Sequence, residues 1–234
     1  MVQAKPSSFI RSFFSLLGEN RYTLLFGSLL LTIGGGEILA ELNLSWGLNI
    51  LIILNLLVLL SIGRGRVYFW VGLALFSLTL ISAFLAAFYD FKLLVLGSQS
   101  SSLALLIMGT QFCFQAAFSR GRDVDRERIS ASISLYLMFG LIFALIFALV
   151  EKLLPGSFFY SILSSDGFDQ KPLLHFMYFS YVTLATLGYG DIVPISGPAK
   201  GLALLEAIIG QLYLVLVVAR LVSLYGKSES KESQ

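Results

Sequence analysis

The stretch Thr183–Asp191, TLATLGYGD, decides how the rest of the chain is read. Its two glycines, tyrosine and aspartate interrupt a polypeptide that is apolar almost from end to end. Of 234 residues, 57% are hydrophobic and 13% are charged, against about 25% charged in a soluble domain. The mean hydropathy is +0.85. So much apolar surface cannot be hidden from water, so the solvent of this chain is lipid. Non-helical backbone at membrane depth is tolerated only where protein buries it or water fills a cavity. Residues 186–190 are therefore expected to line an aqueous space.

Six stretches reach the roughly 20 apolar residues that a crossing needs: 22–40, 44–62, 67–89, 93–118, 129–153 and 198–225. Between the last two, 172–185 is too short to cross. Lys171-Pro172 opens it, and proline suits the first turn of a helix, so this segment is expected to enter the membrane and turn back. With the N-terminus in the cytoplasm, twelve of the sixteen Lys and Arg lie inside, and Lys92, Lys152, Lys171 and Lys200 lie outside. That bias fits the positive-inside rule and places the 154–198 loop outside. Residues 9–20, FIRSFFSLLGEN, read as a short helix on the inner surface or as an extension of the first crossing. No compact signal peptide precedes it. The net charge of +2 is neutral on nucleic acid, the single Cys113 allows no intrachain disulfide, and no repeat is evident.

Residues 176–194, FMYFSYVTLATLGYGDIVP, resemble the pore helix and selectivity filter of potassium channels. A GYG triplet alone would be weak. Here Thr186, Gly188, Tyr189, Gly190 and Asp191 all match, behind a short aromatic-rich helix and before a spanning one. The resemblance covers about 129–226. It implies that potassium ions, stripped of water, are held by the carbonyls of Thr186, Leu187, Gly188, Tyr189 and Gly190. Successive carbonyls reach one axis only through backbone angles that glycine visits at little cost. It further implies filter support from Tyr178 and Asp191, a hinge at Gly210, and a cavity or gate lined by Gln211, Leu214, Val218 and Val222. That row reads equally as a lipid or packing face. One motif per chain implies a homotetramer around one pore, with no cofactor beyond the bound ions. The chain departs from many relatives at two tryptophan positions, where it has Tyr178 and Phe179. Tyr178 can donate to Asp191, but Phe179 cannot donate to Tyr189. Leu187 stands where valine is commonest, and its carbonyl serves equally well.

Six helices with the pore in the last two resemble the voltage-gated superfamily, whose fourth helix carries regular arginines. Here 93–118 contains no Lys or Arg, and 47–89 contains no Asp or Glu. The run GSQSSS (97–102) is expected to pack small residues and hydroxyls against neighbouring helices; a polar ligand pocket is the alternative. SRGRDVDRER (119–128) reads as a solvated face or as a contact for anionic lipid. Glu206, inside the last crossing, is a functional candidate by default. It is expected to brace the filter from behind through Ser180 and Thr183, or else to face water in the outer vestibule. Only nine residues follow Tyr225, too few for a regulatory domain of about 50.

These readings converge on an all-α membrane protein of six transmembrane helices plus one re-entrant helix. Residues 1–21 are a cytoplasmic segment, 22–118 a sensor-like but uncharged four-helix domain, 119–128 a linker, 129–226 the pore domain and 227–234 a tail. The expected function is passive, potassium-selective conduction without strong voltage gating, in a prokaryotic plasma membrane with both termini cytoplasmic. Its partners are K+, membrane lipid and copies of itself, not nucleic acid, and it is no enzyme. A less selective cation channel, a potassium carrier and a non-conducting scaffold are the competing readings.

Overall fold

The computed structural model describes residues 20–42, 45–62, 66–89, 91–118, 126–161 and 172–232, with backbone alone at 37, 40, 45–49, 87, 172 and 221–232. Seven helices are present among them: α1 (Arg21–Glu41), α2 (Ser45–Ile62), α3 (Arg66–Phe88), α4 (Lys92–Ala117), α5 (Arg126–Leu153), α6 (Pro172–Leu184) and α7 (Gly197–Glu232). Two short strands, β1 (Phe158–Tyr160) and β2 (Ile192–Pro194), pair antiparallel with Phe159 opposite Val193. Each apolar stretch of the sequence coincides with a helix to within three residues at either end, except that the last helix continues past 225 to Glu232. Among the described residues, four helices are long and apolar enough to cross a membrane, over Arg66–Ala86, Lys92–Ala117, Arg126–Leu153 and Gly197–Arg220. The apolar runs Ile50–Ile62 of α2 and Leu173–Leu184 of α6 are shorter. Residues 9–19, Arg120 and Arg122 lie outside the described residues.

In lipid there is little hydrophobic drive between helices, so close packing and buried hydroxyl contacts hold them together. The first pair, α1 and α2, is joined by Asn55: its side-chain oxygen accepts from Ser28 Oγ at 2.7 Å, and its amide donates to Thr32 Oγ1. Between α3 and α4, Thr79 Oγ1 donates to Ser101 Oγ at 2.8 Å, so the serine run does stitch helices together. The four-helix unit then packs on α5 through both α1 and α4. Cys113 and Met138, both fully buried, meet across the α4–α5 seam.

At the base of this packing, α1 has no acidic residue in its own first turn. Glu127 of α5 supplies one. Its carboxylate accepts from the backbone N–H of Tyr22 at 3.0 Å and of Thr23 at 3.3 Å, and from Thr23 Oγ1 at 2.6 Å. Helix N-termini leave N–H groups without intrahelical partners and favour negative charge, so an acid one domain away completes this helix end. Glu127 is thus committed to α1, not to a purely solvated face.

Candidate functional site

The site is built where α5, α6 and α7 converge. β1 and β2 tie the chain leaving α5 to the chain following the GYG triplet. The Ser161 N–H donates to the Asp191 carbonyl at 2.8 Å, extending that tie to the end of the motif. The turn after α5 is itself fixed by Glu151, whose carboxylate accepts from the N–H groups of Gly156 and Ser157 at 2.8 and 2.9 Å.

Helix α6 ends at Leu184, and the chain leaves it through two tight bonds: Thr186 N–H to the Thr183 carbonyl at 3.0 Å, and Leu187 N–H to the Val182 carbonyl at 2.9 Å. Beyond that point the backbone alternates in hand. Thr186, Gly188 and Gly190 have φ of 58°, 58° and 80°, while Leu187 and Tyr189 between them keep negative φ. In a strand of uniform hand, successive carbonyls point to opposite sides. A backbone that switches hand at each residue reverses that rotation and can bring successive carbonyls to one side. Glycine tolerates the left-handed positions at little cost, whereas Thr186 is strained there. Its strain is not legible from residue type, since threonine is among the residues that avoid this region.

Residues 185–190 are all exposed on the single chain, with Leu187 at 57% and Tyr189 at 66%. A Cβ on Gly188 or Gly190 would meet nothing within 4 Å, so backbone conformation rather than space demands glycine there. The Tyr178 ring stacks on Tyr189, with centroids 6.4 Å apart and planes 12° from parallel. Phe179 packs in a separate aromatic cluster. It is buried among Phe147, Phe158 and Phe176, meeting the Phe147 ring at 5.1 Å and the Phe158 ring at 5.4 Å. Aromatic packing therefore backs this part of α6.

Polar contacts hold the rest of α6. Tyr136 donates to the Leu184 carbonyl at 3.2 Å, and Tyr181 to the Leu137 carbonyl at 2.7 Å. Ser180 lies against the Gly140 carbonyl at 2.7 Å and is hydrogen-bonded to Glu206 Oε1. Glu206 is fully buried, not exposed in a vestibule, and its Oε2 has no partner among the described residues. Thr183 enters through its backbone carbonyl. Tyr136, Tyr181 and Gly140 carry no motif and were not singled out from sequence. Gly140 is where α5 admits the Tyr181 ring, because a Cβ there would land inside that ring.

Helix α7 runs unbroken through Gly210. That residue is buried under Leu184, and an added Cβ would sit 2.7 Å from the Leu184 side chain and 3.1 Å from its carbonyl oxygen. Its evident service is close approach of α7 to the end of α6. Gln211, Leu214 and Val218 are exposed on α7, but so are Leu212, Val215 and Leu216, so exposure does not single out a lining row. The side chain of Val222 lies outside the described residues.

The described residues bring the loop, its aromatic backing and a buried acid into one unit formed by α5, α6 and α7. No curated protein and no solved structure matches the chain significantly. The ion channel family model matches residues 133–227, from within α5 to within α7. This match covers the whole loop and its supports, and it points to a channel rather than an enzyme. Residues 133–227 are thus similar to the ion channel family.

Proposed function

We propose that the protein is a potassium-selective channel in which four copies of the chain surround one pore. The alternating hand of Thr186–Gly190 carries this reading. Carbonyl rings replace the hydration shell of a permeating cation, and the exposed run 185–190 supplies such oxygens to an axis shared with other chains. The resemblance of residues 176–194 to potassium-channel filters supports K+ as the ion bound by Thr186, Leu187, Gly188, Tyr189 and Gly190. Asp191 and Tyr178 support the outer end of that filter, Glu206 supports it from behind, and Gln211, Leu214, Val218 and Val222 line the inner cavity. Gly210, which lets α7 pass close to Leu184 in this conformation, is also where α7 would bend when the pore opens.

The four-helix unit does not drive steep voltage gating. The α4 helix carries a cation only at its first residue, Lys92. The protein would sit in the plasma membrane with both termini cytoplasmic. Bi-ionic recordings from purified protein in bilayers test the reading. A reversal potential that follows the potassium gradient is the expected result. Equal sodium permeability would establish a less selective cation channel, and transport without unitary currents would establish a carrier.

A further inference from the structure

A cavity of about 680 Å³ lies where α2, α3 and α4 face α5 and α6. Ligand sites commonly enclose about 300–1,000 Å³ and combine apolar walls with a few polar groups. Leu56, Leu106 and Leu145 form much of the wall, and Leu173 and Met177 of the short helix α6 close one side. Ile81 and Phe84 also line it, yet they are 58% and 64% exposed. The entrance therefore faces the surroundings of α3, which in a membrane are acyl chains.

The polar groups of the cavity are concentrated on α2, α3 and α4. Three of them have partners inside the protein. Asn55 bonds to Ser28 and Thr32, Thr79 to Ser101, and Ser98 Oγ to the Val95 carbonyl at 2.9 Å. Gln99 differs, because its buried Oε1 accepts no hydrogen bond from any described residue. A buried acceptor left without a donor costs about 1–3 kcal/mol. No charged side chain lines the cavity, which disfavours an ionic occupant, and a pure hydrocarbon would leave the Gln99 oxygen unanswered.

We propose that this cavity binds a neutral, hydroxyl-bearing lipid taken from the bilayer, with its hydrocarbon between α3 and α5 and its hydroxyl donating to Gln99 Oε1. The occupant rests on Leu173 and Met177, so it touches the helix that ends in the filter loop. Binding is independent of ion selectivity and is read without current, so its failure and the failure of the channel reading are separable.

The test uses full-length protein in lipid nanodiscs and two photoreactive probes, a diazirine derivative of hexadecanol and the same diazirine on hexadecane. Cross-links are mapped by mass spectrometry. Saturable labelling by the alcohol probe at Ile81, Phe84, Leu145 or Met177, displaced by unlabelled hexadecanol, is the expected result. Gln99→Leu should weaken the alcohol probe about tenfold, the loss of one hydrogen bond, and leave the alkane probe unchanged. Leu145→Trp should abolish labelling at the cavity by filling it. Both variants are compared only after eluting at the wild-type oligomeric size. If Leu145→Trp fails that check, Gln99→Leu with the two probes decides alone. Equal labelling by both probes, labelling spread evenly over lipid-facing helices, or no saturable labelling would overturn the proposal. The last outcome would mean that water alone, or a neighbouring chain, fills the cavity.

Discussion

Glu206 of α7 and Ser180 of α6 are hydrogen-bonded in the interior of the unit formed by α5, α6 and α7, one turn from the point where Gly210 meets Leu184. The Ser180 hydroxyl has one hydrogen and two oxygens within reach, Glu206 Oε1 and the Gly140 carbonyl. An amide in place of the carboxyl supplies a donor to Ser180 and leaves the hydroxyl for Gly140. Glu206→Gln should therefore assemble like wild type while shifting open probability. Glu206→Ala should destabilise the unit by about 1–3 kcal/mol, because it removes a buried partner and leaves a void. Thermal unfolding in detergent checks stability, and single-channel records check gating. Unchanged records in both variants would remove Glu206 from any role behind the filter.

Gly188→Ala places a Cβ on a residue with φ of 58°. Nothing surrounds it within 4 Å, so the cost falls on the backbone, at about 1–2 kcal/mol for a left-handed residue. Loss of potassium flux with an unaltered elution profile is the expected outcome. Wild-type flux would show that the alternating hand of the loop is dispensable.

Gly140→Ala tests packing rather than conformation. The new methyl would collide with the Tyr181 ring, and overpacking of this kind costs about 1–3 kcal/mol. The Tyr181 bond to the Leu137 carbonyl should be lost with it. A lowered unfolding temperature is expected, and adding Tyr181→Phe should not restore it, because the ring that collides remains. An unchanged midpoint in the single variant would contradict the close approach of α5 and α6.

Glu127→Ala removes the carboxylate that accepts three hydrogen bonds at the start of α1. Loss of a helix cap costs about 1 kcal/mol. Faster amide exchange at Tyr22 and Thr23 should follow, with little change at α6. Equal exchange in variant and wild type would mean that water caps α1 as well as Glu127 does.

Weak voltage dependence is expected, because the one charged residue of α4 is Lys92 at its first position. Steep gating moves about 3–4 charges per subunit through the field, each worth about 2.3 kcal/mol per 100 mV. Lys92 stands at the helix end, where its long side chain reaches water without crossing. On the proposed reading, any residual voltage dependence should change with the permeant ion, as it would if ions moving through the loop at 186–190 cause it. A gating charge of several elementary units, independent of the ion, would assign a sensor role to the first four helices.

Helix positions were legible in the sequence because a lipid solvent imposes one simple demand on each segment. Enough consecutive apolar residues must satisfy their own backbone, and that demand is local. Thus 22–40, 44–62 and 129–153 were visible as α1, α2 and α5, and the short 172–185 as α6. The loop at 186–190 was legible for a related reason, since Gly188 and Gly190 announce a left-handed backbone by lacking a Cβ. The contacts between distant segments were not legible. No local pattern shows that Glu127 caps α1, that Gly140 makes room for Tyr181, or that Phe179 joins Phe158. Glu206 was conspicuous as an acid in an apolar helix, but sequence left open whether it faced water or Ser180. Helix rotation settles such questions, and rotation is set by how side chains from several helices fill one space. The absence of charge from 93–118 was evident from composition. That its serines and Gln99 border a cavity reaching α6 was decided by the tertiary packing alone.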